Sequence, residues 1–215
     1  MRTWIKICGT TSMEDALASV EAGADALGFI FAPSPRRVMS QSAQEIIREL
    51  PSAVERIGVF LNETVEQIRK TVTEVDLTGI QLHGTEIVSE VFSELPEERR
   101  NSLRIIKSIK VRDGFEKDFD SAMAVSGSVD AWLFDSGAGS GMTFDWRAAR
   151  AKLGDRQGRF ILAGGLNPQN VEAAVKTFRP WGVDVVSGVE KEPGRKNHEK
   201  LKAFVAAIRK AEQKQ

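Results

Sequence analysis

The chain has 215 residues, of which 41% are hydrophobic and 28% are charged, as is usual for a globular protein large enough to bury a full core. Its 30 basic and 30 acidic residues cancel, which argues against nucleic acid or an anionic membrane as a partner. A single cysteine excludes an internal disulfide, and neither a signal peptide nor a long apolar span is evident. We expect one domain over residues 1–215, in the reducing cytoplasm.

The first predicted strand covers residues 4–8 and contains the only cysteine. Ile5 and Ile7 alternate with Lys6 and Cys8, so the two pairs lie on opposite faces of the strand. In a sandwich with one solvent-exposed sheet face, Lys6 would point to solvent. In a closed parallel barrel, Lys6 would lie inside and Cys8 at the C-terminal mouth, while the isoleucines would meet an outer helix. The rest of the chain favours the barrel.

Strand and helix patterns alternate from end to end. Ser12 is a predicted N-cap and Gly23 a predicted helix end, and Asn167-Pro168 is predicted to open a later helix. The later strands are expected at 26–31, 56–61, 79–82, 103–109, 131–134, 160–163 and 183–186, and the other helices at 42–50, 65–72, 87–95, 115–124, 146–153 and 201–211. Eight strand–helix units in this order predict an α/β fold, a single (β/α)8 TIM barrel with a parallel eight-stranded core.

An aspartate recurs just before strands two, four, six and eight, at Asp25, Asp76, Asp130 and Asp184. Two βα units repeated four times would give this pattern. We assign the first three to turns at the N-terminal rim. For Asp184 two positions stay open, namely the same rim and the barrel interior within reach of Lys6.

Two glycine-containing turns follow strands seven and eight. Gly164-Gly165 precedes Asn167-Pro168, and Ser187-Gly188 follows the next strand. One such turn would be explained by tight chain reversal alone. Two on adjacent strands favour a phosphate site, in which backbone N–H groups and a helix N-terminus hold the anion.

Other candidate residues lie where strands end. Cys8 could act as a nucleophile or a general base if its surroundings favour the thiolate. Asp135 closes an apolar strand, where a carboxylate is costly unless paired or protonated, so we expect a raised pKa and a general-acid role. His83 could equally be a hydrogen-bonded core residue or a residue with a supporting role in the active site. His198 is read as the neighbour of a helix cap. Two histidines and one cysteine predict no metal site.

Two loops complete the predicted mouth. Arg36 and Arg37 follow Pro33-Ser34-Pro35, where an arginine could clamp a carboxylate bidentately. The glycine-rich segment 137–141 is expected to be a mobile cover, and its spacing does not fit a dinucleotide motif.

Seven segments, taken in order, resemble the motifs of the phosphoribosylanthranilate isomerase family of tryptophan biosynthesis. They are Lys6-Ile7-Cys8-Gly9, Gly28-Phe29-Ile30-Phe31, Gly58-Val59-Phe60, Gln81-Leu82-His83-Gly84, Phe144-Asp145-Trp146, Gly164-Gly165-Leu166-Asn167-Pro168 and Ser187-Gly188-Val189-Glu190. The family often has lysine where this chain has Met142.

The resemblance implies an Amadori rearrangement of N-(5-phosphoribosyl)anthranilate without cofactor or metal. It assigns the general base to Cys8 and the general acid to Asp135. It matches the anthranilate-binding arginine to Arg36, or to Arg37 if the loop register shifts by one. The phosphate falls on Gly165, Ser187 and Gly188. The implied partner is a small phosphosugar, and the protein would be a monomer or a homodimer.

Two other functions remain open at this stage. The related isomerase of histidine biosynthesis carries an aspartate where Cys8 stands and has a second phosphate site, for which Phe60-Leu61-Asn62 offers no glycine pair. A catalytically silent phosphosugar-binding barrel would need neither Cys8 nor Asp135.

Overall fold

The computed structural model describes residues 2–125, 127, 129–137 and 143–213. Most of the predicted cover, together with Met142, lies outside the described residues. Eight parallel strands form a closed barrel in chain order, with the first strand paired to the last. They are β1 (Trp4–Cys8), β2 (Ala26–Ile30), β3 (Glu55–Phe60), β4 (Gly79–Leu82), β5 (Arg104–Lys110), β6 (Ala131–Asp135), β7 (Phe160–Leu162) and β8 (Gly182–Val185). The predicted (β/α)8 barrel is confirmed.

Helices surround the barrel. They are α1 (Met13–Ala22), α2 (Ser40–Arg48), α3 (Val65–Val75), α4 (Val88–Glu94), α5 (Glu97–Arg100), α6 (Phe115–Val125), α7 (Trp146–Leu153), α8 (Val171–Phe178) and α9 (His198–Glu212). Local chemistry sets the ends of α1, because Ser12 accepts a hydrogen bond from the N–H of Asp15 and Gly23 takes a left-handed conformation. Within the described residues, no helix is both long and apolar enough to cross a membrane.

Alternation along β1 has the predicted consequence. Ile5 and Ile7 are fully buried in the core between strands and helices, whereas Lys6 lies inside the barrel with none of its surface exposed. Apolar side chains fill the lower interior around it, from Trp4, Ala26, Ile57, Ile106, Ala131, Leu133 and Ile161. The barrel is therefore solid below its mouth, as the fold requires.

The repeated aspartates divide as the sequence suggested. Asp25 accepts a hydrogen bond from the N–H of Ile5 (2.9 Å), and Asp130 accepts one from the N–H of Ile105 (2.7 Å). Each carboxylate thereby ties the start of one strand to the loop before the next. Asp76 instead ends α3 in a left-handed conformation. All three lie at the N-terminal rim, as expected.

Two tryptophans close the N-terminal end of the barrel. The rings of Trp4 and Trp181 stack with their centroids 5.1 Å apart. The guanidinium of Arg104 lies over both rings, and that of Arg159 lies over Trp181. Glu55 pairs with Arg104 at 2.6 Å and also accepts from the indole N–H of Trp4. We call this group of residues the floor of the barrel.

Two of the differences from expectation lie beside the C-terminal mouth of the barrel. The helix predicted from Asn167-Pro168 begins only at Val171, because Asn167 and Asn170 exchange hydrogen bonds in a turn that precedes it. After the last barrel strand, an unpredicted 3-10 turn (Ser187–Val189) leads into an antiparallel hairpin of β9 (Glu190–Glu192) and β10 (Arg195–Lys196). The hairpin contains no run of β-branched residues, so the strand propensity of its sequence did not predict it.

Candidate active site

A cavity of about 420 Å³ opens at the C-terminal mouth of the barrel. This is the end at which barrel enzymes bind their substrates. Of the predicted site residues, those that line it are Cys8, Arg36, His83, Asp135, Gly164, Gly165, Asp184 and Ser187. Arg37 and Gly188 do not line it. The structure thus brings together side chains that are far apart in sequence.

Cys8 is held above a glycine on the neighbouring strand. It is 3% exposed and pairs in register with Gly28 of β2. A Cβ atom placed on Gly28 would lie only 2.5 Å from Cys8 Sγ and 3.0 Å from its Cα. Any larger residue at position 28 would therefore collide with the thiol. Gly28 creates the space that the Cys8 side chain occupies.

A buried ion pair lies one layer below the thiol. Lys6 Nζ donates to Asp184 Oδ1 at 3.0 Å, which confirms the inward orientation of Asp184. Burial disfavours the charge on Lys6, but Asp184 outweighs it and the pKa of Lys6 is raised. Burial likewise raises the pKa of the Cys8 thiol, and Lys6 opposes this only in part. The resting state of Cys8 is therefore the neutral thiol.

Asp135 enters the cavity from the end of β6. Ala131 and Leu133 face the barrel interior, so the predicted alternation that turns Asp135 inward is correct. Burial raises the pKa of Asp135, while a hydrogen bond from the N–H of Gly137 (3.1 Å) acts against the shift. The negative charge of Asp184 raises it further. A carboxyl group in this setting takes up a proton more readily than one in water.

His83 is a partly buried, neutral imidazole. Burial lowers its pKa to about 4, and the positive charges of Lys6 and Lys107 add to the effect. Its Nε2 is in close contact with the side-chain amide of Gln81, which also lines the cavity. At neutral pH, His83 can therefore donate or accept a hydrogen bond but carries no charge.

The two arginines considered for the clamp lie in different cavities. Arg36 lines the cavity, whereas Arg37 lies in a different cavity beside α2 and α3. Arg36 Nε and Nη2 both donate to the carboxylate of Glu190, at distances of 2.7–3.0 Å. One edge of the guanidinium is thus occupied by the protein's own carboxylate. The Nη1 edge is left for a ligand.

The glycine turns after β7 and β8 pack against each other. Gly164 has a φ of +81°, and a Cβ there would lie 2.8 Å from Asp135 Oδ1. A Cβ on Gly188 would overlap the carbonyl oxygen of Leu166 in the other turn. Among the described residues, the N–H groups of Gly165, Ser187 and Gly188 have no acceptor. These donors are available to an anion.

Other residues of the site were not predicted. Gln81 and Lys110 line the cavity, and their inward positions follow from alternation with His83 and Ser108. Glu190 and Lys196 lie in the unpredicted hairpin. Across the part of the chain that the structure describes, no three His, Cys, Asp or Glu side chains are grouped to hold a metal ion.

Comparison with known proteins identifies the family of the chain. Residues 5–207 match the model of the family described as N-(5'phosphoribosyl)anthranilate (PRA) isomerase. An N-(5'-phosphoribosyl)anthranilate isomerase from Bacillus cereus is 45% identical over 206 residues, covering 94% of this chain and 96% of the relative.

Solved structures agree. Phosphoribosyl anthranilate isomerase from Thermotoga maritima is 40% identical, with a TM-score of 0.84 over 97% of this chain and 99% of that one. A second isomerase structure, in complex with reduced 1-(o-carboxyphenylamino)-1-deoxyribulose 5-phosphate, is 38% identical with a TM-score of 0.80 over the same shares.

The contact between Gly28 and Cys8 can be tested by stability alone. Gly28→Ala should lower the free energy of unfolding by about 1–3 kcal/mol, because the added methyl group overpacks the site. The cost should shrink in a Cys8→Ala background, where Sγ is absent, as a double-mutant cycle in urea will measure. Gly127→Ala, whose added methyl group meets no atom of the described residues within 4 Å, is the control. Equal costs in both backgrounds would show that the thiol is not the obstacle.

Proposed function

The chain belongs to the N-(5'-phosphoribosyl)anthranilate isomerase family and rearranges phosphoribosylanthranilate in tryptophan biosynthesis, and we propose that Cys8 is its general base and Asp135 its general acid. The observation that carries this assignment is the presence of both groups in the lining of one cavity, which opens at the barrel mouth. The isomerase activity predicted from the sequence motifs is the activity of the family to which the chain belongs.

The reaction needs an acid first. Protonation of the furanose ring oxygen opens the sugar, and the aniline nitrogen of the substrate supplies the electron pair that forms the Schiff base. Asp135 can donate this proton, since burial raises its pKa and keeps the carboxylic acid populated at higher pH than in water.

A base then removes the proton from C2, which gives an enamine that tautomerises to the ketone. Cys8 in its thiolate form accepts this proton. Lys6 lies below it, and its ammonium group favours the thiolate. After each turnover Cys8 holds a proton and Asp135 has lost one. The reactive form, with a thiolate and a carboxylic acid, is restored when Cys8 releases its proton to solvent and Asp135 takes one up.

The rest of the substrate is proposed to span the cavity. The phosphate accepts hydrogen bonds from the N–H groups of Gly165, Ser187 and Gly188, which lack acceptors among the described residues. The anthranilate carboxylate binds the Nη1 edge of Arg36. His83 and Asp184 are proposed to bind the sugar between them, because both line the cavity below its mouth.

A thiol that must ionise during catalysis is best protected in a reducing compartment, and we place the enzyme in the cytoplasm on that ground. A monomer and a homodimer both remain predictions.

Removal of either proton-transfer group should abolish most activity. Cys8→Ser and Asp135→Asn should each lower kcat by at least about a hundredfold, because each leaves one proton transfer without its group. Turnover of freshly prepared phosphoribosylanthranilate measures the effect, and circular dichroism checks the fold. A near-normal rate in either variant would remove that residue from its role.

The pH profile should show that the two groups react in their less populated forms. Burial raises the pKa values of both Asp135 and Cys8, and the reaction uses the carboxylic acid together with the thiolate. Between the two pKa values, the gain of thiolate with rising pH is offset by the loss of acid. We therefore expect kcat/KM to be flat over this interval and to fall on both sides.

A different profile would contradict this assignment. If Asp135 acted as a carboxylate, kcat/KM would climb about tenfold per pH unit through neutrality, up to the pKa of Cys8.

The clamp can be tested with a matched pair of variants. Arg36→Ala should raise KM at least about tenfold, since the guanidinium pairs with the substrate carboxylate, whereas Arg37→Ala should leave KM within about twofold. Steady-state kinetics of the two variants decides between them. The opposite result would move the clamp to Arg37.

A further inference from the structure

The hairpin that follows the phosphate turn buries two charged side chains. The side chain of Glu190 is 3% exposed and that of Lys196 is 1% exposed. Their neighbours Lys191 and Glu192 are exposed. Burial of full charge is costly unless each group is paired and hydrogen-bonded, so these two positions carry constraints that an ordinary surface hairpin would not.

The Glu190 carboxylate is surrounded by donors. Besides the three hydrogen bonds from Arg36, it accepts one from the N–H of Gly194 (3.2 Å) and one from Lys196 Nζ (3.2 Å). Burial disfavours its charge, but Arg36 and Lys196 hold the pKa of Glu190 below its usual value. Arg36 is also confined from the other side, because its Cδ lies against Gly9, where a Cβ would approach it to 2.9 Å.

This arrangement selects one edge of the arginine. A guanidinium can bind a carboxylate through its Nε–Nη2 edge or its Nη1–Nη2 edge. Glu190 occupies the first edge, so the plane of Arg36 is fixed and the second edge is the one free for a ligand. Without Glu190, nothing among the described contacts of Arg36 would hold that plane.

The same hairpin reaches the strand that carries the thiol. Lys196 Nζ donates to the carbonyl oxygen of Cys8 at 2.6 Å. The backbone N–H of Lys196 donates to Asp15 Oδ2 at 3.0 Å, and His198 Nε2 lies 2.9 Å from Asp15 Oδ1. The lysine is thus fixed to α1 through its backbone and to the end of β1 through its ammonium group.

We propose that Glu190 and Lys196 are positioning residues: Glu190 presents the Nη1 edge of Arg36 to the substrate carboxylate, and Lys196 holds the end of β1 so that Cys8 stays aligned with the sugar. This inference rests on the proposed roles of Arg36 and Cys8. It assigns the hairpin two separable effects, one on recognition of the carboxylate and one on the proton transfer. Misplacement of a reacting group by about 1 Å can cost on the order of a hundredfold in rate.

The test for Glu190 compares two ligands. Glu190→Gln should raise the inhibition constant of the reduced carboxyphenylamino-deoxyribulose 5-phosphate at least about tenfold, and should leave that of ribulose 5-phosphate, which lacks the carboxyphenyl group, within about twofold. Glu192→Gln in the same hairpin is the control and should change neither. An unchanged ratio of the two constants would overturn the role of Glu190.

Loss of charge at a buried position can also unfold a protein, so a second variant is needed. Glu190→Asp keeps the charge but draws the carboxylate back by one methylene group, which breaks the two-atom contact with Arg36. The same rise in the ratio of inhibition constants is expected, and its absence in the folded variant would contradict the proposal.

The test for Lys196 separates kcat from KM. Lys196→Met should lower kcat at least about tenfold with a smaller change in KM, and Lys196→Arg, which keeps a cation, should recover part of the loss. Lys191→Met is the control and should match the wild type. An unchanged kcat in Lys196→Met would overturn its role.

Wild-type turnover is measured alongside these variants. Its absence would overturn the proposed base and acid, whereas normal wild-type turnover with unaffected variants would overturn only the role of the hairpin.

Discussion

The site depends on a single electrostatic constraint: charges buried inside the barrel must be paired. Lys6 has no exposed surface, and its ammonium group is stabilised by the Asp184 carboxylate at 3.0 Å. The two charges of the pair cancel beneath the cavity. The ammonium group of Lys6 is nevertheless near enough to Cys8 to offset part of the rise in the thiol pKa that burial causes. A second buried group, in which Glu190 joins Arg36 and Lys196, follows the same rule at the rim. The Cys8 thiol lies between these two groups.

The Lys6–Asp184 pair also acts on the pKa values of Cys8 and Asp135, the two groups proposed to transfer protons. Desolvation raises the pKa values of Asp135 and Cys8 alike, which favours the proposed role of Asp135 as acid and opposes that of Cys8 as base. Lys6 offsets part of the penalty on the thiolate, while the nearby Asp184 favours protonation of Asp135. One ion pair therefore shifts the pKa values of both groups in the directions that their proposed roles require.

Local patterns in the sequence were enough to predict the barrel and much of its mouth. Alternation in β1 placed Lys6 and Cys8 inside, alternation in β6 turned Asp135 inward, and the repeated aspartates marked the rim. The predicted start of α8 was wrong, because the exchange of hydrogen bonds between Asn167 and Asn170 competes with helix formation. The pairing of Arg36 with Glu190 joins residues 154 positions apart, and no local pattern encodes such a contact. Hairpin residues whose partners are this distant can be found only in three dimensions.

The stacked tryptophans of the floor have a practical consequence for spectroscopy. Trp4 and Trp181 lie at the N-terminal end of the barrel, and the cavity lining contains no tryptophan among the described residues. We therefore expect indole emission from this pair to report whether the first and last strands are joined, and not events at the opposite end of the barrel. The fluorescence of these two tryptophans should thus report closure of the barrel and not ligand binding at its mouth.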